Sequence, residues 1–350
     1  MRGLFAVFWA GLSSLAAARD LDEVILSGAG ATFPAPLYRK WIAEYEKETG
    51  CRVTYEATGS GGGIERLLAK KVDFAGTDAF LPEDQLEQNG TQILHIPTCV
   101  GGVAVAYNLE DVTGLRLTPT LVADIFFGKL KSWSHPALRR ANPDLELPDT
   151  PITVIHRADS SGTTFQVTDY LCKISDAWRK RVGRGKTVRW PHGVGADGNK
   201  GVALLAQRIP GSLCYLQYAH ADKYALAAAR LENRAGNYVL PRIDSLSHAA
   251  NTELPEDTRA LITDTDAEKG YPISSFTWLI VHREQSYDQR SRTRCEALVK
   301  MLEWMLDEGQ AYNEEMLYAP LPPAVARRAR RAVRSITYKG GPVEPEGGDE

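Results

Sequence analysis

Apolar residues recur along this chain at two spacings, and the spacings alternate. In residues 36–50, Leu37, Trp41 and Tyr45 stand four apart and a glycine closes the run, which predicts a helix with one buried face. Residues 53–55 read as a short strand, Ile64, Leu67 and Leu68 mark a second helix, and residues 72–74 read as another strand. Further on, residues 100–107, 152–155, 213–216 and 276–281 are short apolar runs of strand type. Helices are expected around 121–127, 165–172 and 202–209, with a late amphipathic helix carrying Leu298, Met301, Leu302 and Met305. Such alternation predicts an α/β fold with largely parallel sheets.

At 350 residues the chain exceeds what one hydrophobic core commonly serves, so two domains are expected. The loops at 141–150 and 189–201 are rich in Pro, Gly and Asp, but neither is long enough to link domains. The tail 340–350 is Gly, Pro and acidic, a composition that favours disorder.

Composition narrows the class. Lys plus Arg number 41 against 44 Asp plus Glu, for a formal charge of -3, which gives no general pull towards nucleic acid. Five arginines crowd into 327–334; in an acidic chain this reads as the solvated face of a terminal helix. Residues 1–18 differ from the rest: Arg2 is their only charge, and Ala16 and Ala18 form an A-x-A arrangement before Arg19. That is the pattern of a secretory signal peptide cleaved after Ala18, because the apolar run is shorter than the roughly 20 residues that cross a bilayer. No cysteine lies near the cleavage point, so lipid attachment is not expected. The cysteines at 51, 99, 172, 214 and 295 are too dispersed for compact metal or redox pairs and read mostly as buried thiols. The histidines are scattered too, and no metal site is expected.

Three segments share one chemistry. Residues 28–34 (GAGATFP), 58–63 (TGSGGG) and 159–163 (DSSGT) each set glycines and hydroxyl residues before an expected helix, directly after a strand-like run. A helix N-terminus has unpaired backbone N–H groups and partial positive charge, so it attracts anions. One such segment is an ordinary N-cap; three in one chain argue for convergence on a small oxyanion. Arg157, at a strand end, could grip two oxygens at once, with Asp159 as its ion-pair partner. Asp78 would repel an oxyanion unless the anion carries a proton to donate, so it selects phosphate over fully deprotonated sulfate.

These residues carry a resemblance to the periplasmic phosphate-binding proteins of bacterial high-affinity phosphate ABC transporters. It spans about residues 27–338 and includes GAGATFPAP at 28–36, Ile96-Pro97-Thr98 with Gly101 and Gly102, Arg157 to Asp159 with Ser161 to Thr163, and Tyr271 to Ser274. The resemblance implies phosphate ligands at Thr32, Phe33 (through its backbone N–H), Ser60, Asp78, Arg157, Ser161, Gly162 and Thr163, with Asp159 holding Arg157. It also implies a two-lobed, type II periplasmic-binding-protein clamshell with two hinge crossings. Lobe I would comprise 19–100 with 275–350, and lobe II 101–274. Implied partners are inorganic phosphate and the transporter's membrane permease subunits, for a monomeric, exported, cofactor-free protein that is not an enzyme. Two positions depart from the family pattern: Ser160 stands where glycine is common, and Gly61 where serine is common.

Two other classes fit the sequence less well. A hydrolase of phosphate esters would need a nucleophile, base or metal, and no G-x-S-x-G elbow or ligand cluster is present; Gly185-Lys186-Thr187 resembles a P-loop end but Lys180 stands where its first glycine belongs. A receptor for another tetrahedral oxyanion would be expected to line its pocket with donors alone, which Asp78 contradicts.

Overall fold

The computed structural model describes residues 24–343 except 89, 91 and 254; the expected signal peptide and residues 344–350 lie outside them. The principal elements are β1 (Ile25–Gly30), α1 (Ala35–Thr49), β2 (Arg52–Glu56), α2 (Gly59–Leu68), β3 (Phe74–Thr77) and β4 (Ile93–Tyr107). There follow β5 (Thr153–Arg157), α3 (Gly162–Ile174), β6 (Val194–Ala196), α4 (Gly198–Arg208), β7 (Ser212–Gln217), β8 (Ala227–Ala228), β9 (Ser274–His282), α5 (Arg292–Leu306) and α6 (Pro323–Arg334).

Helix α1 shows why the expected elements form. Prolines at its start need no N–H partner, Leu37, Tyr38, Trp41, Ile42 and Tyr45 bury one face, and Gly50 ends it at φ 75°. Trp41 Nε1 then anchors it to the Gly309 carbonyl at 2.6 Å.

The strands β1 to β9 form one path in the order β2-β1-β3-β9-β4-β7-β5-β6, with β8 also on β4. The outer pairs β1–β2, β1–β3, β5–β6 and β5–β7 are parallel, but β9 runs antiparallel to β3 and β4, and β4 runs antiparallel to β7. The sheet is therefore mixed rather than largely parallel, because β9 returns from far along the chain to pair between β3 and β4. Strand β4 is also twice the expected length. Its first half contains Pro97, which cannot donate to a ladder, and the register with β9 shifts there, between Thr277 and Trp278.

Strand β4 divides the molecule. Up to Gly102 it pairs with β9, and from Val103 with β7, so β1, β2, β3 and β9 stand on one side and β5, β6, β7 and β8 on the other. Buried residues form one large cluster and a smaller one beneath α4, the latter holding Val202, Ala203, Ala206, Cys214 and Leu216. Each fully buried aliphatic or aromatic side chain contributes about 1.5–3 kcal/mol. Four of the five cysteines are buried and Cys172 is half-buried. Residues 341–342 pair with 337–338 in a short hairpin, so the tail expected from 340 is ordered at its start. Among the described residues no helix is long and apolar enough to cross a membrane.

Candidate anion-binding site

Parallel strands with helical crossovers bring their C-terminal ends to one edge, and the strand ends, turns and helix starts there carry the residues expected to bind the anion. The β1–α1 turn supplies Thr32 and Phe33, α2 supplies Ser60, the end of β3 supplies Asp78, and the β5–α3 turn supplies Arg157, Asp159 and Ser161 to Thr163. One detail differs from expectation. The glycines of 59–63 form the first turns of α2 instead of preceding it, a costly composition for a helix. Close approach explains it, since a Cβ on Gly63 would lie 2.4 Å from the Gly30 Cα.

The two sides of the molecule meet through polar contacts. Gly162 N donates to Ser60 Oγ at 3.2 Å, as does Asp78 N at 3.2 Å. Gly61 N donates to the Ser160 carbonyl at 3.1 Å, and Gln166 Nε2 to the Asp78 carbonyl. A Cβ on Gly162 would fall 2.5 Å from Ser60 Oγ and 2.6 Å from Asp78 Cβ, so only glycine permits this approach. The two departures from the family pattern also meet here: a Cβ on Gly61 would lie 2.2 Å from Ser160 Oγ. The missing side chain at 61 makes room for the added one at 160. Ser160 is not among the residues with positive φ, so its backbone needs no glycine.

Arg157 has a fully buried side chain and faces Asp159, which is 20% exposed. Its Nε donates to Asp159 Oδ1 at 2.6 Å and its Nη2 to Oδ2, leaving Nη1 directed at Thr163 Oγ1, 3.4 Å away. Burial pushes the Asp159 carboxyl up, but the hydrogen bonds and charge of Arg157 outweigh it and hold the carboxyl below its ordinary value. Ser161 caps α3, accepting from Thr164 N at 3.1 Å. Phe33 is packed edge-on against Tyr318, whose hydroxyl donates to the Phe33 carbonyl at 2.5 Å.

Asp78 is 1% exposed. Burial pushes its carboxyl up to about 7, against the opposing pull of a hydrogen bond from Thr277 Oγ1 at 2.9 Å, the charge of Arg157, and Ser60 Oγ at 3.4 Å. The group is thus poised to accept or donate one proton near neutrality. Opposite Thr32, Asn199 Nδ2 donates to Thr32 Oγ1 at 2.8 Å and the Asn199 backbone N at 3.3 Å. Asn199, Thr277 and Gln166 escaped the sequence reading. Asn199 had a signal: Gly198-Asn199 opens a fourth strand-to-helix turn, inside the stretch 189–201 read as plain loop. Beside the site opens a cleft of roughly 920 Å³ lined by Thr32, Arg39, Asp159, Gly198 and His220.

A mixed sheet whose strand ends bring a cluster of buried polar groups together between two halves defines a class of binding protein. Residues 16–308 match the model of the PBP superfamily domain. Within that class, the phosphate-binding protein PstS of Pasteurella multocida is 37% identical over 87% of this chain and 88% of its own length. PstS of Xylella fastidiosa (strain 9a5c) is 38% identical over 89% of this chain and 85% of its own. The chain belongs to this family of phosphate-binding proteins. A solved phosphate-binding protein from Stenotrophomonas maltophilia shares the fold, with a TM-score of 0.67 at 18% identity over 88% of this chain and 94% of that one.

Proposed function

We propose that this protein binds inorganic phosphate between two lobes and hands it to the membrane subunits of a phosphate-import ABC transporter, acting as an exported receptor and not as an enzyme. The ligands are Thr32, the Phe33 backbone N–H, Ser60, Asp78, Arg157, Ser161, Gly162 and Thr163, with Asp159 orienting Arg157. Lobe I, residues 19–100 with 275–350, and lobe II, 101–274, close about β4 and the start of β9. Contacts made only in the closed form would let the anion favour closure. The single observation that carries the reading is Asp78, a buried carboxyl among donors and opposite a buried guanidinium. An anion that keeps a proton near neutral pH satisfies both. The serine hydroxyls at the centre contact backbone N–H groups and Asp78.

Titration calorimetry of the mature, anion-stripped protein with phosphate in excess sulfate is expected to show one tight site; no heat of binding would end the proposal. Asp78 also predicts a pH dependence. Above about 7 the carboxyl is ionised and repels sulfate; below it the carboxyl is neutral, donates, and admits sulfate. The preference for phosphate over sulfate should therefore rise with pH through about 7. In Asp78→Asn it should be flat and about 10–100-fold smaller, from the roughly 1–3 kcal/mol cost of an unpaired buried group. Unchanged selectivity in that variant would remove Asp78 from the mechanism.

A further inference from the structure

We infer that Asn199 is a positioning residue that fixes two hydroxyls as donors, that of Thr163 on its own side of β4 and that of Thr32 when the lobes meet, an inference that rests on the phosphate reading above. Asn199 is fully buried in the first turn of α4. Its amide orientation follows from a neighbour: Gln217 N, which can only donate, lies 2.9 Å from the atom that must therefore be Oδ1. Nδ2 then points at the two hydroxyls, 2.8 Å from Thr32 Oγ1 and 3.4 Å from Thr163 Oγ1.

A threonine hydroxyl has two acceptor lone pairs and one proton. Asn199 takes both lone pairs of Thr32 with its side-chain and backbone N–H groups. Thr163 Oγ1 accepts in the same way from Asn199 Nδ2 and from Arg157 Nη1, each at 3.4 Å. Hydroxyls ordinarily rotate to donate or accept as the partner requires; these two have only a proton left to offer. An anion then meets donors at Thr32 and Thr163, and a protonated oxygen of that anion finds no acceptor there. The ligand's proton is directed to Asp78. Thr32 follows β1 while Asn199 opens α4 on the opposite side of β4, so the Thr32 orientation exists only in the closed arrangement, whereas Thr163 is held from its own side. Asn199 thereby joins closure to anion preference.

The test is a double-mutant cycle on the full mature chain, with phosphate affinity read by calorimetry and release by stopped flow. Asn199→Ala is expected to weaken phosphate binding tenfold or more, mainly through faster release. In a Thr32→Val background the same substitution should cost at least threefold less. Asn199→Asp, nearly isosteric, offers the hydroxyls an acceptor and should bind more weakly than Asn199→Ala. Equal losses in both backgrounds would mark Asn199 as a packing residue and overturn the inference, as would Asn199→Asp binding no more weakly than the alanine variant. Absence of phosphate binding by the unsubstituted chain would instead refute the function on which this role rests.

Discussion

Arg157→Ala is expected to lower phosphate affinity about 10²–10³-fold, with the fold retained. Truncating one member of a buried, hydrogen-bonded charge pair costs about 2–5 kcal/mol in a binding site, and tenfold corresponds to 1.4 kcal/mol. Here two effects add. The guanidinium is lost as the site's buried cation, and Asp159, now uncompensated, turns from orienting group into a repulsive charge beside the anion. Arg157→Lys should recover little, because one ammonium cannot hold both Asp159 oxygens and still reach the ligand. Fold retention is expected because the Arg157 backbone N–H donates to Tyr215 Oη at 3.0 Å, a bond that does not involve the side chain being replaced. Calorimetry with phosphate checks the loss, and an affinity within tenfold of the unsubstituted protein would place the anion elsewhere.

Gly162→Ala should bind phosphate about 10–100-fold more weakly while unfolding at nearly the same temperature without ligand. The added Cβ falls inside contact distance of Ser60 and Asp78, both beyond the β4 crossing, so the conflict arises only when the two sides meet. Overpacking of this kind costs about 1–3 kcal/mol. Alanine at the first position of α3 otherwise suits a helix better than glycine does. Small-angle scattering in saturating phosphate should show this variant remaining more extended than the unsubstituted chain. Affinity within threefold, or an equal degree of compaction, would refute the close approach at Gly162.

What could be read beforehand was local. Glycines with serine and threonine at helix starts, and an arginine at a strand end, have a chemistry that does not depend on the rest of the chain, so Thr32, Ser60, Arg157 and Ser161 to Thr163 stand out as candidates from the sequence, and the fold brings them to one edge of the sheet. Thr277 was not, because β9 brings it to Asp78 from far along the chain and its neighbours give only a buried strand pattern. Gln166 sits one turn into α3 and looks like any polar helical residue until Asp78 is placed opposite it. The polarity of the sheet was equally hidden. Alternating helices and strands suggest parallel pairing, whereas the antiparallel course of β9 is decided by long-range topology. In β4, Pro97 and the polar His95 and Thr98 disguised the first half of a single long strand.

The fit between Gly61 and Ser160 has a bearing on descent. Two positions far apart in the chain share one volume across the cleft, so neither can mutate as if the other were absent. From the present state, Gly61→Ser arriving first would meet an occupied space, whereas Ser160→Gly arriving first would leave only a gap that a later serine at 61 could fill. The route between this arrangement and the commoner one therefore has a direction: bulk must leave one side before it enters the other. A lineage could exchange the pair in that order without passing through a receptor that fails to close.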